Sequence, residues 1–242
     1  MIEIKNLLKK YNKKIILNTI NLKIETGERI ALIGQSGCGK STLLKILTGL
    51  TSFDSGQIII NQSELKQKNS DVPLHMKNIG MLFQSAALFD SLSIKENIAF
   101  YLREELKITN EKHIEKIVKE KLKLVNMEGY ENAMPSELSG GQKKRISLAR
   151  ALSKNPNIMF YDEPTTGLDP ILSTSIENLI INLSKKLDVT SLIITHQHST
   201  ILRTATKIYM LDDGVLIGPE YPETIQNSHD KKIREFFNHA VI

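Results

Sequence analysis

An α/β fold is predicted for this chain: a mostly parallel sheet as the core, an antiparallel β layer at the N-terminus and a helical lobe inserted between core strands. Three observations predict it. Short, almost wholly apolar runs recur at "RIALIG" (Arg29 to Gly34), "NIMFYDE" (Asn157 to Glu163) and "TSLIITH" (Thr190 to His196), each closed by glycine or polar residues. Strands buried on both faces read this way, and open α/β sheets place their ligands at such C-terminal ends. The first residues alternate polar and apolar instead, as half-buried antiparallel strands do. Between the first two core runs lies a long stretch whose apolar residues recur at helical spacing.

Taken in order, Ile2 to Leu8 and Ile15 to Ile24 ("IILNTINLKI") form the β layer. "RIALIG" then feeds the helix-like "KSTLLKILTGL". The helical lobe spans Leu88 to Lys154, with Ile114, Ile117, Val118, Leu122 and Val125 on one face. After the remaining core strands, "KIYMLDDGVLIG" places two apolar runs around Asp213-Gly214, a hairpin turn, and a polar tail runs to Ile242. The expected organisation is a single domain, with residues 1–87 and 155–218 as core and β layer, 88–154 as lobe and 219–242 as tail.

Composition bounds the partners. With 242 residues, 40% of them hydrophobic, the chain can bury a sizeable core. Lys and Arg number 32 against 27 Asp and Glu, so 32 − 27 = +5. Such a balance suits nucleic acid or an anionic surface, but the lysines are scattered along helix faces, as in "KHIEKIVKEKLK", and no nucleic-acid partner is expected. The single cysteine, Cys38, excludes an intrachain disulfide and a cysteine metal cluster. No apolar run reaches the roughly 18 residues of a membrane span, and the start "MIEIKNLLKKYNKK" lacks a secretory layout. A water-soluble, unprocessed chain without internal repeats is expected.

The chemistry sits at the ends of the core runs. Gly34, Gln35, Ser36, Gly37, Cys38, Gly39, Lys40, Ser41 fit G-x-x-x-x-G-K-[ST] between a buried strand and a helix, with Thr42 following. Glycines let the backbone N–H groups and the helix N-terminus face a polyphosphate; Lys40 would reach the β and γ phosphates and Ser41 would bind Mg²⁺. The core is thus a P-loop NTPase core, which by itself leaves ATPase and GTPase open. Asp162 and Glu163 end the second core run, where one carboxylate can hold Mg²⁺ and the next can polarise a water. His196 ends the third and could touch a γ-phosphate; His198 could equally be surface decoration. One cluster is left over: "LSGGQ", Leu138 to Gln142, a second glycine-and-hydroxyl group at the mouth of a helix.

With these motifs in this order, the chain resembles, over nearly its whole length, the ATP-binding cassette of ABC transporters. In that family "LSGGQ" is the signature motif. Gln84 in "MLFQSAALF" matches the Q-loop, Asp169 in "GLDP" the D-loop, His196 the switch histidine, and Tyr11 the aromatic that stacks on adenine. The resemblance implies ATP and Mg²⁺ as ligands, Glu163 as general base, Lys40 for charge stabilisation, Ser41, Gln84 and Asp162 on the metal, and Gln84 as the link to a membrane subunit. It also implies what the second cluster is for: Ser139, Gly140, Gly141 and Gln142 would serve the nucleotide of a partner copy, two chains head to tail enclosing two ATP molecules.

"LFQSAALFDSLSIKENIAFYLRE", "LSGGQKKRISLARAL" and "NSHDKKIREFFN" are similar to the Mla/TGD group, ATPases of phospholipid-type transport. Gln142 stands where that group often has methionine, and Gln197 where many cassettes have an acid. Ala86, Ala87, Leu88 and Phe89 read equally as core or as a groove for a permease helix. The resemblance implies an integral membrane permease, a substrate-binding subunit in some systems, and a place on the cytoplasmic face of a bacterial inner membrane or the stromal face of a plastid inner envelope. A soluble cassette ATPase of iron–sulfur assembly and a small-solute importer are the alternatives.

Overall fold

The computed structural model of the chain describes residues 1–65, 67 and 78–238; residues 239–242 of the expected tail lie outside them. The chain divides into two compact units, Met1–Lys77 with Thr190–Ile242, and Asn78–Val189.

The first unit holds two groups of strands. Strands β1 (Ile2–Tyr11), β2 (Lys14–Ile24), β4 (Ser55–Ile60) and β5 (Ser63–Glu64) form an antiparallel sheet in the order β2-β1-β4-β5. Alternation does the work here: Ile2, Ile4, Leu17, Leu22 and Ile24 are buried while Glu3, Lys5 and Lys23 point out or lie partly exposed. Register shifts on either side of Leu7 interrupt the ladder, beside Asn6 at φ 50. The β layer thus extends the expected strands to a tight turn between Tyr11 and Lys14, with Asn12 at φ 54.

β3 (Arg29–Ile33) lies between β8 (Thr190–Ile194) and β9 (Lys207–Asp212), parallel to both, and β10 (Val215–Glu220) pairs antiparallel with β9. Ile30, Ala31, Leu32 and Ile33 are fully buried, which explains why this run does not alternate. Asp213 and Gly214 turn the β9–β10 hairpin at φ 43 and 76, the two positive values that such a turn requires. Helix α1 (Lys40–Leu47) follows β3, and α6 (His198–Thr204) follows β8.

The C-terminal segment is more than a polar tail. A 3₁₀ turn at Ile225–Asn227 and helix α7 (Lys231–Asn238) bury Ile225, Ile233 and Phe237 against Ala31, Ile33, Ile201, Ile208 and Met210. His198 stacks on Phe236 and Phe237, with ring centroids 5.1 and 4.8 Å apart. Few apolar residues suffice because an eight-residue helix needs only one narrow stripe.

The second unit contains β6 (Ile79–Leu82) parallel to β7 (Ile158–Asp162), helices α2 (Ile94–Glu104), α3 (Glu111–Leu124) and α4 (Gly140–Leu152), a 3₁₀ turn at Pro135–Glu137 and α5 (Pro170–Leu187). On α3, Ile114, Val118 and Leu122 are buried as the spacing predicts, and Lys119 and Lys123 face solvent. Ser93 with Glu96 and Asn110 cap α2 and α3, satisfying first-turn amides that would otherwise be orphaned.

Candidate functional site

In the first unit the phosphate-loop residues are set by the strand–helix junction. At Gly34, φ is 143 and an added Cβ would lie 2.2 Å from the Leu211 carbonyl oxygen, so no other residue fits. Gly39, at φ 114, leads directly into α1, and no side chain caps that helix. Its first turn carries no acidic residue, which leaves the positive end of the helix dipole unopposed. The Lys40 ammonium donates to the carbonyls of Gly34 and Gln35 at 2.8 Å each and lies 3.7 Å from Cys38 Sγ. Gln35, Ser36, Gly37 and Ser41 are exposed, and Cys38 and Thr42 are half-buried. A Cβ at Gly37 would meet nothing within 4 Å. These features fit a polyphosphate: a loop open on one side, a cation within it and a helix start behind it.

Register brings His196 to the same edge. Leu32 of β3 pairs with Ile194 of β8, so Gly34 and His196 each lie two residues beyond a paired position on adjacent parallel strands. His196 is exposed there, ahead of α6. Tyr11 ends β1, 46% exposed, with the Lys9 ammonium 4.8 Å from its ring centre.

The second unit repeats the arrangement. Leu82 of β6 pairs with Tyr161 of β7, so Gln84 and Glu163 each lie two residues past that pair, side by side at the sheet's C-terminal end. Asp162 is the last residue of β7. Glu163 takes a left-handed backbone, φ 48, and its carboxylate accepts a hydrogen bond from Thr166 Oγ1 at 3.0 Å. Asp162 offers hard carboxylate oxygens and Ser41, in the first unit, a hydroxyl, each a donor type that suits Mg²⁺. No group of three or more His, Cys, Asp or Glu side chains that could hold a metal ion occurs among the described residues.

The signature residues start α4 as a capping box. Ser139 Oγ accepts from Gln142 N at 3.4 Å, and Gln142 Oε1 accepts from Ser139 N at 2.9 Å. Gln142 Nε2 also donates to the Tyr130 hydroxyl at 3.0 Å, a bond that methionine could not make. Ser139 therefore uses an acceptor site inward and keeps its hydroxyl proton to offer elsewhere. Gly140 is exposed, whereas Gly141 is buried and a Cβ there would lie 3.2 Å from Leu172 Cδ2. Leu172 belongs to the first turn of α5, capped by Asp169, whose Oδ1 accepts from the amides of Ile171 and Leu172 at 2.9 Å. The Asp169 turn and the signature thus pack on each other.

Of the run after Gln84, Ala86 is buried while Ala87 and Phe89 are exposed, so core and surface readings each hold for part of it. Phe89 stacks on Phe100, ring centroids 4.7 Å apart, with the Arg150 guanidinium 5.4 Å from the Phe89 ring. Lys144, on α4, was not singled out by the sequence: a lysine in a helix with an exposed side reads as solvated. It is 4% exposed, and burial holds its pKa below the ordinary lysine value while Asp162 and Glu163 act the other way.

The family model described as "ABC transporter" matches residues 17–166. The chloroplastic protein Trigalactosyldiacylglycerol 3 of Arabidopsis thaliana is 40% identical over 98% of this chain and 73% of its own length. The intermembrane phospholipid transport system ATP-binding protein MlaF of Haemophilus influenzae is 37% identical over 98% of this chain and 89% of its own. The methionine import ATP-binding protein MetN of Campylobacter jejuni is 34% identical over 99% and 76%. Among solved structures, a dimeric, post-hydrolysis ATP-binding cassette bound to ADP and Pi aligns with a TM-score of 0.81 at 30% identity, over 92% of this chain and 99% of that one.

Proposed function

Since the chain belongs to the ABC transporter family of ATP-binding cassettes, we propose that this ATPase subunit energises the movement of phospholipid-type molecules through a separate integral membrane permease. Two copies enclose two ATP molecules, and a substrate-binding subunit joins in systems that need one. No helix among the described residues is long and apolar enough to cross a membrane, and in this reading the permease carries the path for the substrate. The subunit works at the cytoplasmic face of a bacterial inner membrane or its stromal counterpart in plastids.

In this reading Lys40 and the 34–42 loop hold the triphosphate, Tyr11 stacks on the adenine, and Ser41, Gln84 and Asp162 supply the protein oxygens for Mg²⁺, which would neutralise phosphate charge. Glu163 takes the proton of the attacking water and His196 contacts the γ-phosphate. Ser139, Gly140, Gly141 and Gln142 meet the partner's nucleotide beside Asp169. What supports hydrolysis most directly is the placing of Gln84 and Glu163 two residues past a paired position on neighbouring parallel strands. The lipid substrate is supported by the likeness to MlaF; the comparable likeness to MetN supports import of a small solute as the second reading.

The test is purification of Glu163→Gln from detergent-extracted membranes. The variant should retain ATP in a stable dimer, lose turnover by roughly 100-fold or more, and bring a hydrophobic partner with it. Near-normal turnover would remove Glu163 as base. A partner belonging to an amino-acid or metal importer would end the lipid reading.

A further inference from the structure

We propose that Lys144 is a positioning residue for hydrolysis: from within the signature helix, its ammonium fixes the backbone at Gln84 and Glu163 so that both side chains meet the reaction correctly. The inference rests on the reading of Glu163 as base.

The geometry is that of a filled three-way hub. Lys144 Nζ donates to the carbonyls of Gln84 at 2.6 Å, Glu163 at 3.3 Å and Phe83 at 3.4 Å. An ammonium has three protons and no acceptor, so all three are used, and the carbonyls belong to the two segments that carry the hydrolytic residues. Three non-glycine residues in those segments stand in the left-handed region: Glu163 at φ 48, Ala86 at 62 and Ala87 at 50. Such conformations persist only where their surroundings hold them. One turn beyond Lys144, the buried Ser147 Oγ donates to the Ala86 carbonyl at 2.7 Å, so α4 grips the segment after β6 twice.

A merely structural part for this side chain is poorly served by a lysine. Burying an ammonium is costly, and an apolar residue of similar volume would often stabilise the fold at least as well. Its hydrogen bonds go to backbone oxygens, while the Asp162 and Glu163 carboxylates act on its charge from nearby. α4 is also capped by Ser139, so the helix that presents the signature is the one that sets the backbone at the base.

The test uses the full chain with its membrane partner. Lys144→Met keeps the length and removes the donors; it should lower kcat about 10- to 100-fold while KM for ATP stays within about threefold, since misplacement of a reacting group acts on the chemical step. Lys144→Gln, whose amide can still donate to two carbonyls, should recover all but about threefold of kcat. Placed in the Glu163→Gln background, Lys144→Met should add nothing to the single-turnover defect, because residues acting as one unit are not additive. Wild-type kcat in Lys144→Met, a rise in KM equal to the fall in kcat, or a full multiplicative loss in the double variant would each overturn the proposal. If Lys144→Met does not fold, Lys144→Gln decides alone: unchanged kcat or a raised KM overturns it. A Glu163→Gln chain that turns over normally would fail the base assignment, whereas a dead Glu163→Gln beside a fully active Lys144→Met fails Lys144 only.

Discussion

At the start of α1 no side chain caps the helix, and Gly39 stands before it at φ 114; at the start of α4, Ser139 and Gln142 bond each other's backbone amides. Both sites are glycines beside a hydroxyl, yet the glycines answer different needs. Gly34 and Gly39 are required by left-handed backbone and by the Leu211 carbonyl and Leu17 side chain they approach. Gly141 clears space for Leu172, and Gly140 meets only ordinary contact, Leu168 Cδ2 at 3.5 Å from an added Cβ. The α1 end has no side-chain cap and carries its own cation, whereas the α4 end is finished by its own side chains. Of the two signature glycines, only Gly140 is left without a reason in the packing of this chain.

The comparison breaks most visibly in mixed dimers. Lys40→Ala disables a phosphate loop and Ser139→Arg a signature. If sites are shared, a dimer of one of each has one intact site and should trap nucleotide there with the membrane partner present. A double variant paired with wild type should trap none. The reverse pattern would show that each chain serves its own ATP.

A smaller effect separates the glycines of the first site from those of the second. Gly34→Ala should lower stability by about 2–4 kcal/mol, because a Cβ meets a backbone oxygen in a conformation that alanine resists. Chemical denaturation without nucleotide would show it, and a shift below about 0.5 kcal/mol would mean that the β9 backbone yields easily.

The smallest effects sharpen the signature. Ser139→Ala should cost about 1 kcal/mol through the lost cap alone. Gly140→Ala should be neutral or stabilising by up to about 0.5 kcal/mol, since alanine favours a helix, while trapping by the dimer falls. Stability and function moving in opposite directions at Gly140 is the outcome that assigns it to the partner; parallel losses would make it a packing residue.

Much of this was legible in the residues themselves. The fully apolar run at Ile30 to Ile33 announced a strand covered on both faces, and the Gly-Lys-Ser spacing announced the loop. The sequence does not signal β4 and β5, because Ser55 to Ile60 mixes glycine, polar and apolar residues without alternation. The docking of α7 was hidden by its charge, since only Ile233, Phe236 and Phe237 carry its apolar stripe. Lys144 was invisible for a deeper reason: its partners are main-chain carbonyls, 60 residues upstream at Gln84 and 19 downstream at Glu163, and carbonyls have no letter in a sequence.

The division of the chain has a consequence for its birth on the ribosome. Unit Asn78–Val189 is continuous, but the other is made in two instalments, and β3, buried from Ile30 to Ile33, finds both of its parallel neighbours only in the second. At about 5–20 residues per second, β3 waits roughly 8 to 30 s for β8 to be synthesised. During that interval the nascent chain carries a strand whose Ile30 to Ile33 lack both parallel neighbours, so the phosphate loop at its end is translated early but gains its flanking strands late.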